Sequence, residues 1–137
     1  MLFRSLVILD IGGGAFGSHM IGQFAEFLGG EDTKVIYLIN PYRPWSSSRE
    51  DIKETVARTA GAAHLEKISV AANPNYGADT TAEDVLRGIE NLKKMLPDAE
   101  IEFVCVRKEL AKALEECRLP LLAIDLNTIP EWLISNV

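Results

Sequence analysis

The chain has 137 residues, of which 47% are hydrophobic and 25% are charged, and its formal net charge is −6 at pH 7. This composition is typical of a single globular domain over residues 1–137, and the acidic balance argues against nucleic-acid binding and against docking on an anionic membrane. No apolar run approaches the roughly 18 residues that a membrane span needs. Cys105 and Cys117 have no metal-ligand spacing, so we expect a cytoplasmic protein with reduced thiols.

Apolar runs and helical spacings alternate along the first half of the chain. Residues 6–10 place four large apolar side chains before a carboxylate, which predicts a buried parallel strand. Three glycines follow at residues 12–14. The pattern then predicts a helix that ends at Gly29 and Gly30, and a second strand at residues 35–39 that runs into a proline-rich turn.

The second half continues this alternation. Ser47 with Glu50, and Thr80 with Glu83, match the capping-box pattern and predict the first turns of two helices. The first of these helices is expected to close at Gly61. Three more strands are predicted at residues 68–72, 101–106 and 121–124. A helix is predicted between the last two strands, and a short segment at residues 129–134 ends the chain.

The alternation predicts a three-layer α/β/α, Rossmann-like fold with a mostly parallel, five-stranded sheet and helices on both faces. Ligands of such sheets bind outside the carboxyl ends of the strands. Polar residues follow three of the predicted strands there, namely Asp10, Asn40 with Arg43, and Asn73. We therefore expect the ligand site at this edge of the sheet.

The glycines allow a dinucleotide-site interpretation, because Gly12, Gly14 and Gly17 match the GxGxxG spacing. An acid that holds the ribose is expected at the end of the second strand, where this chain has Asn40. Asp10 would also lie close to the pyrophosphate and repel it. A dinucleotide site therefore explains the pattern poorly.

A second interpretation is an S-adenosylmethionine-dependent methyltransferase. The first motif of that family is similar to the run Leu9-Asp10-Ile11-Gly12-Gly13-Gly14. That family also has a ribose-binding acid after its second strand, and Asn40 departs from it. This interpretation is kept as the alternative.

A third interpretation is the Walker B segment of a P-loop ATPase. A carboxylate at a strand end, such as Asp10, can accept a hydrogen bond from a water bound to Mg²⁺. The amide of Gly12 or Gly13 would then face the γ-phosphate and act as a switch. This chemistry explains why an acid and bare backbone are adjacent.

The chain resembles ParA/MinD-like ATPases from about Val7 to Leu133. The resemblance lies in the order and spacing of several short runs: VILDIGG from Val7, YLINPYRP from Tyr37, ISVAANPN from Ile68, TTAEDV from Thr80 and IPEWL from Ile129. It implies binding of ATP and Mg²⁺. It also implies roles for individual residues: Asp10 as the Walker B acid, Gly12 or Gly13 as the switch glycine, Asn73 as the partner of adenine, and Arg43 as a contact to phosphate or a second subunit.

The chain departs from this family because no lysine follows a glycine, so no Gly-Lys-Ser/Thr phosphate loop is present in these residues. We therefore interpret the chain as the C-terminal half of a nucleotide-binding domain that hydrolyses no ATP alone. An adapter used in short-read sequencing would encode Leu-Phe-Arg-Ser, so we interpret residues 1–5 as non-native. An unpaired apolar strand at residues 6–10 would favour a homodimer. A non-enzymatic α/β binding module, complete as it stands, is the remaining alternative.

Overall fold

A computed structural model describes residues 6–12, 15–28, 30–65 and 67–126 of the chain. The predicted final segment at 129–134, residues 1–5, Gly13 and Gly14 lie outside these ranges. The helices are α1 (Ala15–Gly22), α2 (Ala25–Leu28), α3 (Arg49–Ala63), α4 (Ala82–Met95) and α5 (Lys108–Ala111), and the strands are β1 (Ile36–Ile39), β2 (Ser69–Ala72), β3 (Ile101–Arg107) and β4 (Leu121–Ile124).

The sheet is parallel throughout, in the order β1-β2-β3-β4. Ile36 lies opposite Ser69 in the first pair of strands, and Val104 lies opposite Leu121 in the last. The predicted α/β class and parallel sheet are confirmed. The predicted strand count was wrong, because the described residues form four strands and not five.

The missing strand is the one predicted for residues 6–10. These residues have no regular secondary structure, and Leu6 and Ile8 are 89% and 82% exposed. A parallel strand is stable only when neighbours pair its backbone and cover both its faces. Within the described part of the chain, residues 6–10 pair with no strand of the sheet, so apolar character alone does not hold them in one.

The helices that connect the strands lie on one face of the sheet. Right-handed crossovers between strands in consecutive order place every connecting helix on the same side. The core agrees, because Ile52 of α3, Leu92 of α4 and Leu114 pack in one buried cluster with Ile39 and Val104 of the sheet. The expectation of helices on both faces was therefore wrong for residues 36–126.

The opposite face of the sheet carries apolar residues that solvent reaches. Leu38 of β1 and Leu122 of β4 are 48% and 47% exposed. Cys105 lies between these edges in β3 and is buried, and this burial raises the pKa of its thiol. The predicted third layer of the fold is not seen on this face among the described residues.

Both helix N-caps were predicted one residue too early. The Ser48 side chain caps α3 by accepting from the Asp51 N–H at 3.1 Å, and Thr81 forms a capping box with Asp84 at the start of α4. Aspartate can replace glutamate at the third helical position. Ser47–Glu50 and Ser48–Asp51 therefore fit the same pattern, as do Thr80–Glu83 and Thr81–Asp84. α3 also continues past Gly61 and ends at His64, whose φ of 55° is left-handed.

Candidate functional site

The loops that follow β1 and β2 are joined by the side chain of Asn40. Its amide donates to the Asn75 carbonyl at 2.8 Å, and its carbonyl oxygen accepts from the N–H groups of Tyr42 and Asn75 at 3.1 and 3.4 Å. An asparagine side chain offers both donors and acceptors, so it satisfies two loops at once. Asn40 therefore fixes the position of one loop relative to the other.

Asn73 lies in the second of these loops and is partly buried. Its N–H donates to the Ile39 carbonyl at 2.8 Å, which extends the β1–β2 ladder by one residue. Its side-chain oxygen accepts from the Asn75 amide at 3.0 Å. The acceptor that adenine pairing would use is therefore engaged within the loop, and the adenine role of Asn73 stays a prediction.

Two tyrosines stack between the same loops. The rings of Tyr42 and Tyr76 have centroids 4.2 Å apart and planes inclined by 22°, and the Arg87 guanidinium lies 6.0 Å from the Tyr42 centroid. The Tyr42 hydroxyl donates to the Asp84 carbonyl in α4, and burial raises its pKa. The stack between Tyr42 and Tyr76 was not predicted. The sequence signal for it is that each loop opens with an Asn-Pro pair and has a tyrosine shortly after it.

A groove runs along the free edge of β1, and we call it the edge groove. Its volume is about 690 Å³. Residues 9–11, β1, the loop after it and α3 all contribute to its lining. The charged and polar lining residues are Asp10, Asn40, Arg43, Ser46, Thr55, Arg58 and Thr59.

The edge groove brings two of the predicted site residues together. Asp10 and Arg43 are both exposed, and both line it. Asn73 does not line it. Gly12 lines a second cavity of about 370 Å³ beside α1, and Gly13 lies outside the described residues.

The charged residues that line the edge groove sum to a positive charge, whereas the whole chain is acidic. Among the described lining residues, Asp10 is the only carboxylate, while Arg43 and Arg58 bring two guanidinium groups. The whole chain has a net charge of −6. An anion is therefore expected to bind more favourably in this groove than elsewhere on the acidic surface.

Sequence analysis did not identify the α3 side of the groove. Thr55, Arg58 and Thr59 lie on one face of α3 because they are spaced by three and four residues. This polar face was a detectable signal. The Thr59 hydroxyl is buried and has no hydrogen-bond partner in the part of the chain that the structure describes, so a bound group could satisfy it.

Gly17 packs against the segment that carries Asp10. A Cβ built on Gly17 would lie 2.8 Å from the Gly12 carbonyl oxygen and 3.4 Å from Ile11 Cγ2. Glycine at this position of α1 therefore lets the helix approach the segment closely. Gly17 is therefore a packing residue in this structure.

The described residues contain no group of three or more His, Cys, Asp or Glu side chains that could hold a metal ion. In the same residues, none of the helices has the length and apolar character needed to cross a membrane. Comparison with protein-family models, with curated proteins and with solved structures gives no match to this chain.

Proposed function

We propose that this chain is the nucleotide-binding portion of a ParA/MinD-like P-loop ATPase, and that it binds ATP with Mg²⁺ at the edge groove. The observation that carries the proposal is that Asp10 and Arg43 line one groove beside an edge strand. One side chain suits a hydrated cation and the other suits a phosphate. The parallel sheet is compatible with a Rossmann-like nucleotide-binding fold.

The donor set fits Mg²⁺ only through water. Mg²⁺ retains several water ligands in proteins and is commonly held by one or two carboxylates together with substrate phosphates. Asp10 is the one carboxylate that the described lining provides, and it is exposed. When bound, Mg²⁺ would neutralise charge on the triphosphate, while Asp10 would orient one of its waters.

The guanidinium groups of Arg43 and Arg58 supply the positive charge that a triphosphate requires. Arginine presents parallel N–H donors that match phosphate oxygens in pairs. Burial raises the pKa of the Tyr37 hydroxyl, and the positive charge of nearby Arg58 opposes this rise. Arg58 therefore acts electrostatically at the edge of β1, within the groove.

ATP hydrolysis by this class of ATPase needs a lysine that follows a glycine in a phosphate loop, and this sequence has no such lysine. The resemblance implies that a separate strand carries this lysine and pairs beside the Asp10 segment. The outer edge of β1 pairs with no strand of the described sheet, so it is available to such a strand. We therefore propose that this chain alone binds ATP–Mg²⁺ weakly and hydrolyses none.

The test is a titration of the isotopically labelled chain, followed by amide chemical shifts, because this method detects weak binding and locates it. ATP with Mg²⁺ is expected to move the amide signals of Asp10, Gly12 and Arg43 most. S-adenosylmethionine and NAD are the comparison ligands. Tight binding of S-adenosylmethionine at the same residues would replace this proposal by the methyltransferase alternative. Shifts that avoid Asp10 and Arg43 would also refute it.

A further inference from the structure

The outer edge of β1 presents unpaired backbone groups to the edge groove. Ser69 N–H donates to the Val35 carbonyl at 2.9 Å, and Asn73 N–H donates to the Ile39 carbonyl at 2.8 Å. Backbone groups alternate in direction along a strand, so those of Ile36 and Leu38 point away from β2. These are the groups that an added strand would pair with.

β1 lacks the features that usually protect an edge strand. Its four residues, Ile36–Ile39, include neither a charged residue nor a proline. The flanks of the two edge strands are similar, because the Lys34–Glu102 ion pair and Pro41 lie beside β1, while Pro120 and the Lys108–Asp125 ion pair (3.4 Å) lie beside β4. Edges without charge or proline within the strand favour pairing with another chain, so the outer edge of β1 is open to an added strand.

A strand-like apolar segment that leads into the lining of the edge groove is exposed. Residues 6, 7, 8 and 9 are Leu, Val, Ile and Leu, and they are 89%, 73%, 82% and 56% exposed. No other run of four large apolar residues in the described chain is exposed to this extent. Exposed apolar surface of this kind marks interaction sites.

This segment does not pair with the β1 edge of its own chain. Residues 9–11 line the edge groove, and Ile11 and Gly12 lie against Gly17 of α1. α1 in turn packs on α3. Residues 6–9 therefore precede an anchored segment, and they are exposed and pair with no strand of the described sheet.

We propose that residues 6–9 of a second copy of this chain insert into the edge groove and pair with β1 as an added strand. Each copy carries both the protruding segment and the open edge, so reciprocal insertion gives a closed dimer with two-fold symmetry. The proposal does not depend on nucleotide binding, and because both would occupy the edge groove, the inserted strand and ATP would compete. It concerns the 137-residue chain, and a strand supplied from elsewhere would compete for the same edge.

The first measurement is sedimentation velocity of the full chain over a range of concentrations, without nucleotide. We expect a monomer–dimer equilibrium that strengthens as salt is added, because each copy has a net charge of −6 and salt screens the repulsion. A chain that stays monomeric at the highest concentration and at high salt overturns the proposal.

Two substitutions address the two halves of the contact. Ile8→Lys places a charge in the inserting segment, and Leu38→Pro removes an outward N–H from the β1 edge while leaving the β1–β2 ladder intact. Each is expected to weaken the dimer at least about tenfold, a loss of about 1.4 kcal/mol of association free energy. Circular dichroism checks that each variant is folded.

Matched controls change the same kinds of residue elsewhere. Leu86→Lys alters a residue on α4 that is 47% exposed, and Ala123→Pro removes an outward N–H from β4. Both controls are expected to dimerise like the parent chain. If Leu38→Pro fails to fold, Ile8→Lys decides alone, because Ile8 is 82% exposed and lies outside the sheet. A dimer that survives Ile8→Lys, or that the controls weaken equally, overturns the proposal.

Discussion

Gly88 of α4 should be the least replaceable small residue of the described core. It is buried, and a Cβ built on it would collide with Pro74 Cβ and would lie 3.3 Å from Pro41 Cγ. Both prolines are buried in the loops that follow β1 and β2, so neither can move freely. Gly88 therefore lets α4 pack directly beneath the loops that Asn40 joins.

We expect Gly88→Ala to lower the free energy of unfolding. Alanine gains up to about 1 kcal/mol over glycine in a helix interior, but overpacking a dense site typically costs about 1–3 kcal/mol. The net expectation is a loss of up to about 2 kcal/mol. Gly61→Ala is the matched control, because Gly61 is also helical and nothing lies within 4 Å of its built Cβ. That substitution should gain about 0.5–1 kcal/mol.

Urea unfolding followed by far-ultraviolet circular dichroism measures both variants. The predicted order of unfolding midpoints is Gly61→Ala above the parent chain and Gly88→Ala below it, at similar slopes. The opposite signs of the two changes test packing against helix propensity. If Gly88→Ala is as stable as the parent chain, then α4 does not pack against Pro74 as described.

Three further predictions concern the caps and the joined loops. His64→Gly should stabilise the chain by about 1 kcal/mol in thermal unfolding, because glycine adopts the left-handed C-cap conformation without strain, whereas His64→Ala should bring no gain. Thr81→Ala should cost about 1 kcal/mol at pH 7, and Thr81→Ser should restore most of it. The Thr81 N–H holds the pKa of Asp84 below its ordinary value. The contribution of Asp84 to stability is therefore present above about pH 3.9 and is lost as the pH falls further. Urea midpoints at decreasing pH would reveal this loss, and a contribution that instead grew on acidification would contradict the assignment. Asn40→Ala should cost about 1–3 kcal/mol, because it leaves the Asn75 carbonyl and two N–H groups without their partner, and an unchanged urea midpoint would show that the loops are held by other contacts.

The elements with a clear apolar pattern of their own were predicted from the sequence. β1, β2, β3 and β4 each occur within one residue of their predicted bounds, because apolar runs that bury against helices carry their own signal. The start of α4 was predicted to within one residue, and Val85, Ile89 and Leu92 of this helix all reach the core.

The prediction failed where structure depends on a partner that the local pattern does not specify. Residues 6–10 have the composition of a buried strand, but no strand of the described sheet pairs with them. The number of helix-bearing faces depends on strand order, which is a long-range property. In the candidate site, Asp10 and Arg43 were identified from their positions after apolar runs, whereas Arg58 was missed because it reaches the groove from a helix face.

The account depends most on Asp10 as the carboxylate that serves a hydrated Mg²⁺ beside a triphosphate. The direct measurement is the affinity of Asp10→Asn for ATP, with and without Mg²⁺, against Asp32→Asn, which changes an exposed acid outside the edge groove. With Mg²⁺, Asp10→Asn should bind ATP about tenfold more weakly than the parent chain, and Asp32→Asn should bind it equally well. Without Mg²⁺, Asp10→Asn should bind no more weakly than the parent chain, because it removes a negative charge from the groove. Equal Mg²⁺-dependent affinities for Asp10→Asn and the parent chain would contradict the account.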